Sequence, residues 1–97
     1  MNSNRKLTGV IKGRTIQSTQ HQNGLLTIGF DDGSKMTVKT AGDTNSGVTG
    51  GTIKSVRQQD TNLALDFTDG TTMQVQTAEA TSSVMLRDSK AALEYVD

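Results

Sequence analysis

The sequence predicts an all-β domain: a small barrel or a packed pair of three-stranded meanders with an internal pseudo-two-fold, completed by a C-terminal hairpin or a short helix. Three observations predict it. Residues 13–46 recur without a gap as residues 50–83, with 15 identities in 34 positions at a constant offset of 37. Within each copy, apolar and polar residues alternate at period two, the pattern of half-buried strands. Thr is abundant at 15 residues and Pro is absent, which favours strands joined by Gly, Asn and Asp turns. Two copies are fewer than the roughly three that a solenoid needs to cover its ends, so residues 1–97 read as one pseudo-symmetric domain.

The elements follow in order. Residues 1–4 are expected to be a frayed leader. Leu7, Val10 and Ile11 offer burial to a short first strand over residues 7–11, ending at Gly13. Residues 15–22 form a second, mostly polar strand. Leu26, Ile28 and Phe30 then alternate with Thr27 and Gly29. After the Asp31-Asp32-Gly33-Ser34 turn, Met36 and Val38 alternate with Lys35, Thr37 and Lys39. A slip of one residue would exchange the faces, so register is well specified. The second copy repeats this with Ile53, then Leu63, Leu65 and Phe67, then a Thr68-Asp69-Gly70-Thr71 turn, then Met73 and Val75. Asp-Gly suits a tight hairpin because Gly takes positive φ at little cost. Residues 42–51, rich in Gly, Thr, Asn and Ser, join the copies. The extension 84–97 has no counterpart in the first copy and reads as a final hairpin, with Ala91-Ala92-Leu93-Glu94 leaving a short helix as the alternative.

Composition narrows the function. Apolar residues make up 32% and only Phe30, Phe67 and Tyr95 are aromatic, so the core is thin. No Cys supplements it, and self-association is the expected stabiliser, most simply as a homo-oligomer of two. Ten basic and ten acidic residues give zero net charge, which disfavours nucleic acid as a partner. No apolar run approaches the roughly 20 residues of a membrane span, and the polar start does not read as a signal peptide. A cytoplasmic protein without membrane contact is expected.

Catalytic chemistry finds little support. The lone His21 lies in a polar run and corresponds to Gln58 in the second copy. With no Cys and no second His, thiol–imidazole dyads and His-based metal sites are excluded. Asp31, Asp32 and Asp69 fit turn chemistry better than paired carboxylates or calcium ligands. No enzyme and no cofactor are expected. The basic residues near strand ends are more informative, because Arg offers a bidentate fork to phosphate and hydroxyls can donate to the remaining oxygens. A captured anion is expected to meet Arg87 and the Thr81-Ser82-Ser83 segment, with Arg57 or Lys54 nearby.

The stretch GGTIKSVRQQDTNLALDFTDGTTMQVQTAEATSSVMLRD, with ALEYVD behind it, resembles small uncharacterised all-β proteins of bacteria and phages that carry one copy of such a unit. The resemblance covers residues 50–97 and rests on hydrophobic spacing, the DG turn and SSVMLRD. In size, neutrality and lack of catalytic groups, the chain is also similar to phage proteins that act as oligomeric sponges for nucleotide immune signals. That likeness implies a non-catalytic β module capturing a small anionic ligand. A protein-interaction or inhibitor module working through its sheet edges is the alternative.

Overall fold

A computed structural model describes residues 2–41, 50–79 and 83–96, and in it each repeat is a three-stranded antiparallel meander. The order is β1 (Asn2–Ser3), α1 (Arg5–Ile11), β2 (Ile16–Gln22), β3 (Leu25–Phe30), β4 (Lys35–Lys39), β5 (Ile53–Gln59), β6 (Asn62–Phe67), β7 (Thr72–Gln76), β8 (Val84–Arg87) and β9 (Leu93–Val96). The first meander is extended by the C-terminal hairpin into a sheet ordered β2-β3-β4-β8-β9. The second is extended by β1 into β1-β5-β6-β7. The C-terminal segment is therefore the hairpin, not the helix.

The two copies superpose in their bonding as well as their sequence. Gly13 N–H donates to Ile53 O at 2.9 Å, and its counterpart Gly50 N–H donates to Ile16 O at 2.7 Å. At the other end, Ala41 N–H donates to Gln76 O and Ala78 N–H to Lys39 O. Among the described residues the sheets are laddered together only by isolated bridges, Thr15–Thr52 and Thr40–Thr77. The packed pair is thus the architecture, and the closed barrel is not. Matching irregularities between Ile16 and Ser18 and between Ile53 and Ser55 break the ladders where β2 and β5 approach, and such bulges bend a strand and raise its twist.

Strand alternation fills the space between the sheets. Phe30 and Phe67 are each 1% exposed, in equivalent positions, with Leu26, Ile28, Leu65, Met36 and Val38 wholly buried around them. The helix corrects the expected first strand at residues 7–11. Asn4 caps it, its side chain accepting from Leu7 N–H at 3.0 Å, and Leu7 and Ile11, four apart on one face, are wholly buried. Gly9 and the β-branched Thr8, Val10 and Ile11 are poor helix formers, so packing against β5 and β9 overrides propensity. Thr8 secures it: its Oγ1 accepts from Val56 N–H at 2.8 Å. Among the described residues, no helix is long and apolar enough to cross a membrane.

Candidate anion-binding site

Outward-facing residues on β4 and β8 create the most concentrated positive charge of the five-stranded sheet. Lys35 and Arg87 are direct cross-strand partners. Like charges placed opposite each other in a sheet repel, so the pair costs stability unless something anionic offsets it. Arg87 donates through Nη1 to Ala91 O at 2.9 Å. Beside the two cations lies an open hollow of about 290 Å³, bounded by Gly33, Thr37, Met85 and Ser89.

Two turns shape its rim. Gly33, at φ +89°, comes so close to the β8–β9 turn that a Cβ there would stand 2.9 Å from Ser89 Cβ. In that turn Asp88 Oδ1 accepts from Lys90 N–H and Ala92 N–H, both at 2.9 Å, and Ala91 takes a positive φ of 65°. Asp88 also borders the hollow, but its Oδ1 is engaged in holding the turn.

The other nearby carboxylates are drawn away by Arg14. Its Nη2 donates to Glu94 Oε2 at 2.7 Å and its Nε stands 3.2 Å from Asp32 Oδ2, while Nη1 donates to Ser34 Oγ at 2.9 Å. The hydrogen bond to Glu94 raises the Arg14 pKa against partial burial, and the Asp32 charge raises it further. Asp32 is held below the usual carboxylate range, chiefly by the Ser34 hydroxyl. Glu94 therefore neutralises Arg14 rather than Arg87, and Lys35 has no ion-pair partner among the described residues.

The residues expected from sequence divide between the sheets. Arg87 lies on the five-stranded sheet as described. Lys54 and Arg57 are on β5, in the other sheet, so they do not gather around Arg87. Arg57 is engaged by Asp66, with Nε to Oδ2 at 2.7 Å and Nη2 to Oδ1 at 2.8 Å. The Arg57 hydrogen bond, with help from Thr72 and Ser55, lowers Asp66 to about 2 against slight burial. Lys54 borders a smaller hollow of about 180 Å³ with Ser55, Asp66 and Gly70. Ser83 is buried, its Oγ accepting from Glu79 N–H and donating to Glu79 O, which is a structural role. Thr81 and Ser82 lie outside the described residues. His21 is tied to the Thr40 hydroxyl at 2.8 Å.

Nothing in the sequence marks Lys35 or Met85 as a site residue. Lys35 is legible as an outward residue of β4, but its neighbour depends on strand order, which alternation does not encode. No protein-family model, curated protein or solved structure matches the chain.

Proposed function

We propose that the protein is a non-catalytic β module that captures a small anionic ligand at the Lys35–Arg87 pair. The observation that carries this is the cross-strand placement of two cations, neither with an ion-pair partner among the described residues, on the lip of a hollow close to the roughly 300 Å³ at which small-molecule sites begin. Lys35 supplies a mobile point charge and Arg87 a planar fork. Met85 offers an apolar surface to the rest of the ligand, while the Thr37 hydroxyl is turned to Met85 O at 3.4 Å. A phosphate-bearing molecule with a flat uncharged portion, such as a nucleotide signal, meets all three features. Sequestration of such a signal is the corresponding role, with the module working as a homo-oligomer.

Isothermal titration against cyclic and linear nucleotides tests this reading. Charge-assisted hydrogen bonds are worth about 1.5–3 kcal/mol each, so Arg87→Ala is expected to weaken the best ligand by about ten- to a hundredfold with the fold intact. Absence of heat across the panel, or unchanged affinity in Arg87→Ala, would remove the site.

A further inference from the structure

The outer face of the five-stranded sheet extends well beyond the hollow, and its composition is one-sided. Register places its outward residues in three rows. One runs Ser18, Gly29, Lys35, Arg87, Leu93; the next runs Gln20, Thr27, Thr37, Met85, Val96; the last runs Gln22, Leu25, Lys39. All the exposed large hydrophobic residues among those described are here: Leu25, Met85, Leu93 and Val96. Every charge in the rows is positive, although the whole chain is neutral. A second hollow, of about 350 Å³, opens beside Leu25 between Gln20, Gln22 and Thr27.

The other repeat supplies an internal control. Its outward rows are Ser55, Asp66, Thr72; Arg57, Ala64, Gln74; and Gln59, Asn62, Gln76. Among the described residues that face carries no exposed large hydrophobic side chain, and its Arg57 and Asp66 neutralise each other. Facing the core, Phe30/Phe67, Leu26/Leu63, Met36/Met73 and Val38/Val75 are identical between copies. Facing outward, Asn62, Thr72 and Gln76 are matched by Leu25, Lys35 and Lys39. The fold does not require the apolar and cationic character of the first face, since the same meander is built without it.

We propose that this face docks an acidic segment of a partner protein, one that sets apolar side chains between carboxylates. Exposed apolar patches rimmed by polar residues mark interaction surfaces, and charge complementarity selects the partner. A second copy is a poor occupant. A two-fold contact sets this patch against its own copy, so both sides would bring only positive charge from Lys35, Lys39 and Arg87 and no carboxylate to offset it. The inference goes beyond anion capture and shares Lys35, Met85 and Arg87 with it, but its test varies Leu25, Lys39 and Val96, which do not line that hollow, so either can fail alone.

The test uses the full chain and two labelled twelve-residue probe peptides, one alternating Leu with Glu and one alternating Leu with Lys, read by fluorescence anisotropy. The acidic peptide is expected to bind at least tenfold more tightly than the basic one and to weaken as salt rises. Lys39→Glu, and separately Leu25→Asp with Val96→Asp, should each reduce its binding at least tenfold, while Gln59→Glu on the opposite sheet should not. Circular dichroism confirms that each variant is folded, and the charge and apolar variants serve as independent arms. Equal binding of both peptides, binding of neither, or no loss in the folded variants would overturn the proposal. So would retention on phosphatidylserine vesicles with no peptide binding, or a homodimer that dissociates on Leu25→Asp.

Discussion

The hydroxyls of Thr15 and Thr52 meet at 2.8 Å across the pseudo-two-fold, where the same residue of each repeat faces itself. One hydroxyl donates and the other accepts, so identical residues form an unsymmetrical bond on a symmetrical site. Replacing either alone with Val leaves the partner hydroxyl half-buried without it. Replacing both leaves neither. A double-mutant cycle by chemical denaturation should give a coupling of about 0.5–1.5 kcal/mol. Additive single effects would show that the contact does not join the repeats.

Gly51 lies where a Cβ would stand 2.7 Å from the Phe67 ring. Phe67→Ala is expected to cost about 3–5 kcal/mol, as for other buried aromatics. Gly51→Ala should destabilise by about 1–3 kcal/mol through overpacking, and adding Phe67→Leu should recover part of that loss. Thermal melts of the three variants check this. A Phe67→Ala melting temperature within a few degrees of the parent would contradict the assigned register.

Gly33 and Gly70 adopt the same turn conformation, at φ +89° and +90°, but Gly33 faces Ser89, whereas among the described residues nothing stands within 4 Å of the Cβ position at Gly70. Gly70→Ala should cost only the strain of a positive φ, on the order of 1 kcal/mol. Gly33→Ala should cost more, and Ser89→Gly should bring it back toward the Gly70→Ala value. Equal losses for the two single variants would mean that the C-terminal hairpin does not press on the first repeat's turn.

Asp66 gives the fold a defined sensitivity to acid. Its pKa of about 2 lies below the ordinary 3.8, so its contribution is fully present above the ordinary value and is lost as pH falls from about 4 toward 2. Asp32 and Asp69 are depressed too, through Ser34 and Thr71, and act in the same direction. The melting temperature should therefore decline across that window. Asp66→Asn should begin lower and decline less steeply, and an unchanged slope would show that the Arg57 pair adds nothing to folding.

The sequence carried the duplication, both hairpins and the inward register of Phe30 and Phe67, because these depend on local alternation and turn chemistry. Residues 7–11 read as a strand in the sequence and fold as part of a helix for a physical reason. Leu7 and Ile11 fit a helix face as readily as part of a strand, and β-branched neighbours favour the strand until β5 and β9 are in place. The site was only partly legible. Arg87 is visible as a cation near a strand end, but Lys35 becomes its neighbour only through β4–β8 pairing, which joins residues 46 to 52 apart in the chain, from Val38–Val84 to Lys35–Arg87. Comparing the copies position by position holds a signal for the Arg57–Asp66 pairing. Gln20 and Gly29 of the first copy become Arg57 and Asp66 of the second, a joint change that marks a pair satisfied internally.

Whether an anion settles between Lys35 and Arg87 can be read from amide chemical shifts in a ¹H–¹⁵N spectrum titrated with pyrophosphate. The changes should concentrate at Gly33, Lys35, Arg87 and Ala91, saturate with concentration, and disappear in Arg87→Ala. Shifts centred on Lys54 and Arg57, or none at millimolar pyrophosphate, would contradict it.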